Sequence, residues 1–183
     1  MPVRRLSRPF VVVLTGVENS GKTTIGNVLA RRMQWPLIPE AARTDAAVLE
    51  NRTTWDDLQR LQDAFIDEVT ARRDAHTHDV LLCDTGGLVL DMWAQVVFGR
   101  GLRRTQEAMD LMDLHLLLHT QVEWEPDPLR TLPDFGDRMA LQDQYRERLI
   151  ESGRPFEEIF RGFGAERFRR ALDLIQQHSG QTA

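Results

Sequence analysis

Cysteine is almost missing from this chain: Cys83 is the only one in 183 residues, so no internal disulfide can form and a reducing, cytoplasmic compartment is expected. Lysine is just as scarce, with Lys22 standing alone and every other basic side chain an arginine. Long apolar runs are lacking too. Phe10 to Leu14 falls far short of the roughly 18 residues needed to cross a bilayer, and with basic Met1 to Arg8 before it and no small-residue cleavage site after it, neither a membrane span nor a secretory signal is expected. Positive charge is not in excess. Lysine and arginine number 23 against 28 acids, a net charge of −5, which excludes a global field that recruits nucleic acid. Repeats, low-complexity tracts and Ser/Gly linkers are absent, and the length fits one domain at about 150 residues per domain. Residues 1–183 are therefore read as a single unit that needs no disulfide or structural metal, because a chain of this size typically buries about 70% of its unfolded surface.

What is present is an alternation of strand and helix patterns. Phe10 to Leu14 is a β-branched run closed by Thr15-Gly16, which predicts a strand buried on both faces; Asp79 to Asp84 and Leu114 to His119 repeat the pattern. Pro36 to Pro39 and Pro155 to Phe160 are read as further strands with proline at their ends, where it is tolerated. Between them Ile25, Val28, Leu29 and Met33, then Leu58, Leu61, Phe65 and Val69, then Phe168, Leu172 and Ile175 recur at helical spacing. Thr54 three residues before Asp57 starts one helix, and Gly99-Arg100-Gly101 ends another that begins near Leu88. The order β-α-β-α-β-α-β-α-β-α predicts a three-layer α/β/α fold with a five-stranded, mostly parallel sheet. Its ligands are expected at the carboxyl ends of the strands.

Gly16-Val17-Glu18-Asn19-Ser20-Gly21-Lys22-Thr23 fits G-x-x-x-x-G-K-[ST] at every fixed position, after a predicted strand and at the start of a predicted helix. A chance match somewhere in a chain of this length is on the order of one in a hundred at average residue frequencies. The glycines let successive N–H groups turn inward on phosphate oxygens, and the helix that follows adds its positive end. Lys22 supplies a mobile ammonium to the β- and γ-phosphates, where a flexible point charge suits better than a planar guanidinium. The Thr23 hydroxyl is placed to ligate Mg²⁺, and Thr24 lies next to it. The expected cofactors are ATP and Mg²⁺. With no second lysine, the N-K-x-D base loop of a GTPase cannot be formed, and the length favours a small-molecule kinase over a helicase or transporter ATPase.

Such a kinase needs a carboxylate at the acceptor hydroxyl, one at the metal, and a cation that closes on the phosphoryl group. Glu40 follows the second strand and Asp84 ends the third, so either can serve as the base, and Asp84 also fits the metal. Trp124 to Arg130 is a proline- and acid-rich excursion after the fourth strand that reads as a lid over approximately residues 120–138, with Arg130 its phosphate clamp and Arg138 a second cation.

Together the P-loop, Glu40-Ala41-Ala42-Arg43, Gln62 to Asp67, Asp84-Thr85, and Trp124 with Asp127 and Arg130 resemble the ribosylnicotinamide kinase domain of the bacterial NAD-biosynthesis regulator and its stand-alone AAA-like ATPase relatives. The likeness spans Phe10 to Ile175. It implies a P-loop kinase fold and phosphorylation of the 5′-hydroxyl of nicotinamide riboside to NMN, with Glu40, Asp84 and Arg43 beside the acceptor ribose and Trp124, Asp127 and Arg130 in the lid. Three positions depart from the pattern: Gly86 stands where a second acid often follows Asp-Thr, Asp127-Pro128 replaces Asp-Gly, and Pro39 replaces an aromatic, leaving Phe65 or Trp124 to stack on the base. A kinase for another nucleoside, or an ATPase switch acting on a protein partner, are the other readings. Neither nucleic acid nor a membrane is expected as a partner, and oligomeric state is left open. His76 and His78, His115 and His119, Cys83, and Trp35, Trp55 and Trp93 are read as structural, and Arg100, Arg103 and Arg104 as a solvated helix start.

Overall fold

The computed structural model describes residues 8–75, 77–121, 123–126, 130–162 and 164–180. Its centre is β1 (Phe10–Thr15), where Val11 to Leu14 are fully covered on both faces. β3 (Val80–Asp84) and β4 (Leu114–Leu118) flank it, and β2 (Leu37–Ile38) and β5 (Phe156–Ile159) form the edges, in the order β2-β3-β1-β4-β5. All the pairings are parallel. β2 is shorter than the predicted Pro36 to Pro39 because proline has no N–H for the ladder, although the Pro36 carbonyl still accepts from the Leu82 amide at 2.9 Å.

The alternation of side chains along β1 sorts the core into two layers. Val12 and Leu14 meet Ile25 and Leu29 of α1 (Lys22–Met33) and Ala171, Leu174 and Ile175 of α7 (Gly164–Ser179). Val11 and Val13 meet Phe65, Ile66 and Val69 of α3 (Trp55–Ala75) and Ala108 of α5 (Thr105–Asp110). That second layer continues through Leu88 and Met92 of α4 (Gly87–Phe98) and Tyr145 and Leu149 of α6 (Phe135–Ser152), which pack on Val17 and Leu117. The result is a three-layer α/β/α sandwich.

The predicted helix ends are found. The Asp57 amide donates to the Thr54 hydroxyl while the Asp57 carboxylate accepts from the Thr54 amide, and Gly99 closes α4 at φ +66°. A 3-10 turn at Ala41–Thr44, the four-residue α2 (Ala46–Leu49) and α5 are too short to leave a periodic signature. Arg100 and Arg103 stack on the Trp55 ring, and Arg104 pairs with Asp63 and Glu107.

Two backbone positions carry the junctions at the top of the sheet. Gly16, at φ +133°, passes so close to β4 that a Cβ would lie 2.5 Å from the Leu118 carbonyl oxygen. Thr85, directly after β3, holds φ +75° although it is β-branched. Strain of that kind costs about 1–3 kcal/mol. The fully buried valines and leucines of β1 and β3 are worth about 1.5–3 kcal/mol each, so the packed strands can impose it.

Gly16→Ala should destabilise the protein by at least about 2 kcal/mol, combining left-handed strain with a main-chain clash. Gly153→Ala, at φ +65° with nothing within 4 Å of its Cβ, should cost only about 1–2 kcal/mol. Urea unfolding of the two variants measures the difference; equal losses would show that the approach to Leu118 is not constraining.

Candidate active site

The turn from β1 into α1 curls over residues 16–21, with Asn19 and Gly21 left-handed as well as Gly16. It opens onto a crevice of about 270 Å³ lined by Glu18 to Thr24, Glu40, Arg43 and Arg130. Sheet register explains the convergence. Leu14 pairs with Asp84, which sets the end of β3 beside the start of the P-loop, and Ile38 pairs with Cys83, which carries Glu40 just past the same edge.

Lys22 folds back over its own loop: its Nζ donates to the carbonyls of Gly16 and Val17, both at 2.9 Å, and to the Ser20 hydroxyl at 3.5 Å. Burial pulls its pKa down, and the Glu40 and Asp84 carboxylates oppose that shift. Glu40 holds the Arg43 guanidinium at 2.8 Å. Asp84 is only 3% exposed and its Oδ1 has no hydrogen-bond partner among the described residues. Burial is the largest cause of its raised pKa; Glu40 pushes the same way, and the Thr23 hydroxyl, Lys22 and Arg43 pull back. A buried, orphaned carboxylate oxygen beside a threonine hydroxyl is the donor set a Mg²⁺ ion takes, so Thr23 and Asp84 fit that metal.

The connection from β4 to α6 covers one side of the crevice. Arg130 donates to the Asn19 side-chain oxygen at 3.1 Å and to the Glu125 carbonyl, and its guanidinium is 6.0 Å from the Trp124 ring. Arg138 does not join it as a second clamp. That side chain is fully buried, donating to Thr120, Leu132, Pro133 and Gln121 and stacking under Trp124 at 4.9 Å. Phe65 also departs from expectation: it packs in the core with its ring tip by Gly86, not on the crevice wall, which leaves Trp124 as the candidate stacking ring. Asp127, Pro128 and His76 lie outside the described residues. Among the described residues, no cluster of three or more His, Cys, Asp or Glu forms a further metal site. His115 lies in the core against Thr15, and His119 pairs with Glu158.

Sequence reasoning missed Arg167. The residue is 6% exposed, its guanidinium donates to the His119 carbonyl at 3.2 Å and lies against Gly21 of the P-loop, and Nε has no partner among the described residues. Burial alone pulls its pKa down. The signal was available: Arg167 falls four and seven residues before Ala171 and Leu174, on the apolar stripe of α7.

A family model described as an AAA domain (AAA_28) matches residues 11–167. The chain belongs to this AAA domain family. The trifunctional NAD biosynthesis/regulator protein NadR of Salmonella typhimurium is 26% identical over 187 residues, covering 95% of this AAA domain chain and 44% of NadR. The chain thus spans less than half of that curated relative. A crystal structure of NadR in complex with NR superposes with a TM-score of 0.75 at 21% identity, over 94% of this chain and 52% of that one. Thymidylate kinase from Candida albicans gives 0.63 at 11% identity, over 96% and 94% of the two chains. The fold of this AAA domain is that of the P-loop nucleoside and nucleotide kinases.

Because burial raises the Asp84 pKa, the folded chain holds that proton more tightly than the unfolded one. The resulting stability is full below the ordinary aspartate value of 3.8 and is lost as pH rises through the higher folded value. Ionised Asp84 is therefore a burden at neutral pH. Asp84→Asn should raise the Tm of the ligand-free protein at pH 7.5, with the gain shrinking toward pH 4. Thermal unfolding at the two pH values tests this, and a lower Tm for the variant at pH 7.5 would refute it.

Proposed function

We propose that this chain transfers the γ-phosphoryl group of ATP to the 5′-hydroxyl of nicotinamide riboside, releasing ADP and NMN. The observation that carries the reading is the sheet register, which sets buried Asp84 at the end of β3 beside the P-loop while Glu40, just past β2, lines the P-loop crevice with Lys22. A carboxylate at the metal is common to any site that holds or hydrolyses Mg²⁺-ATP, so Asp84 alone does not separate the readings; the second, Glu40, is the one that bears on an acceptor. An alcohol acceptor requires at least one, to orient its O–H and take the proton. The similarity to NadR supports the choice of acceptor.

In this mechanism the main-chain amides of residues 16–23 hold the polyphosphate, and Lys22 leaves its own carbonyls for the β- and γ-oxygens. Mg²⁺ held by Thr23 and Asp84 would neutralise charge on those oxygens. Arg130 approaches from the lid, where a donor aimed at developing charge in a dry site is worth several kcal/mol. Glu40, kept in place by Arg43, faces the acceptor side. As the acceptor oxygen attacks the γ-phosphorus in line, the bond to the β-bridging oxygen breaks, and the hydroxyl proton passes to Glu40 or Asp84. Trp124, whose ring lies against Arg138 and near Arg130, is the ring proposed to stack on the base.

ADP release should depend on the acceptor across a nucleoside panel, with nicotinamide riboside the fastest. Turnover indifferent to every nucleoside would favour an ATPase switch, and a faster nucleoside would reassign the acceptor. Lys22→Ala should lower kcat by on the order of a hundredfold or more, the usual loss for one preorganised charge-stabilising group. Glu40→Gln should bind ATP as the parent does, by calorimetry, and fail in transfer; a loss of ATP affinity instead would assign Glu40 to nucleotide binding.

A further inference from the structure

Glu18 occupies the second variable position of the P-loop, and its carboxylate accepts its hydrogen bonds from the lid. The Thr131 amide reaches its two oxygens at 2.9 and 2.8 Å, the Leu132 amide reaches one at 3.0 Å, and the Thr131 hydroxyl donates at 3.2 Å. Its main-chain carbonyl accepts from the Thr120 hydroxyl at 3.0 Å, and that hydroxyl accepts in turn from buried Arg138. The segment that leaves β4 and the segment that returns to α6 thus close on one residue. Asn19 adds the contacts to Arg130 and to the Glu123 carbonyl.

A carboxylate at the rim of a polyphosphate site is unfavourable in itself, since like charges repel most where water is excluded. Direct phosphate binding gives no reason for an acid here. Charge-assisted bonds from two successive amides do, because they fix the chain immediately after Arg130. We propose that Glu18 is the positioning residue of the lid: its carboxylate anchors Thr131 and Leu132 on the P-loop and thereby holds Arg130 at the phosphate edge before nucleotide enters. The inference rests on reading the crevice as the phosphate-transfer site. It assigns Glu18 an action through Arg130 and none on the substrate itself.

The test uses the full chain and two variants. Glu18→Gln keeps one carbonyl acceptor, and Glu18→Ala keeps none. Amide hydrogen exchange at Thr131 and Leu132, without ligand, reads the anchor directly; it should quicken by about tenfold or more in Glu18→Ala and by less in Glu18→Gln. In steady-state assays with ATP and nicotinamide riboside, Glu18→Ala should lose about ten- to a hundredfold in kcat, as misplaced catalytic groups do, while KM for ATP stays level or falls because a repelling charge has gone. Glu18→Gln should recover part of kcat. Unchanged exchange at the two amides, or an unchanged kcat with a raised KM for ATP, overturns the proposal. If the parent protein turns over no acceptor, the kinase reading fails, and the exchange measurement alone decides whether Glu18 is the anchor.

Discussion

The curl of main chain between β1 and α1 is the constraint to which the rest of the molecule conforms. Inward-facing amides require left-handed backbone at Gly16, Asn19 and Gly21, and the start of the curl must pass against the Leu118 carbonyl, where no side chain fits. Such a turn does not hold itself in shape. It is clamped below by β1, which is covered on both faces, and above by the Lys22 ammonium on the Gly16 and Val17 carbonyls. The same lysine is the group that phosphate would draw away. In the ligand-free molecule it stabilises the loop whose amides it later helps to serve.

Around that curl the chain accepts buried polar groups that a core built for stability alone would exclude. Asp84 has an orphaned oxygen, the hydroxyl of strained Thr85 is buried without a partner, and Arg167 lies against Gly21 with no carboxylate near enough to move its pKa. Buried polar atoms are almost always satisfied, so adjacent Asp84 and Thr85 at the end of β3 stand out, alongside unpartnered atoms of His115 and Gln142 farther from the P-loop. Asp84 is short of a cation and Arg167 of an anion, which on the proposed reading magnesium and a nucleotide would supply.

The layout of the sheet was legible in the sequence because both of its signals are local. β-branched runs closed by turns give the strands, and G-x-x-x-x-G-K-T fixes where the first helix begins. Glu40 and Asp84 were legible as residues that end strands, and the register of the parallel sheet then sets them side by side. The less legible part lies in polar residues that occupy apolar stripe positions. Gln62 on α3 is fully buried and bonds Gly87, Thr105 and the Arg104 amide, tying three helices together. Arg138 and Gln142 precede Tyr145 and Leu149 on the buried stripe of α6. Phe65 was drawn toward the acceptor by its neighbours in sequence, yet helical spacing with Ile66 and Val69 places it in the core. Composition marks such residues as surface, and only position along the helix shows that they are inside.

The two lid arginines show why that distinction bears on function. Arg130 lies in the irregular connection and Arg138 in the first turns of α6, and only the stripe position of Arg138 before Gln142 and Tyr145 separates them in sequence. Arg138 has given its donors to the Thr120 hydroxyl and to the carbonyls of Gln121, Leu132 and Pro133, so it is bound to the root of the lid and is not available to a ligand. Arg130 is bound through the Asn19 side chain, the Glu125 carbonyl and a 3.9 Å ion pair with the exposed Glu125 carboxylate, contacts made at the crevice rim. A guanidinium held by main-chain carbonyls deep in the protein sets geometry, whereas one held at a rim by an amide and an exposed carboxylate can exchange those partners for phosphate at small cost. If Arg130 is the phosphate clamp of the proposed reaction, the root must be rigid for the rim to be aimed, and buried Arg138 is what ties that root to Thr120 and Gln121.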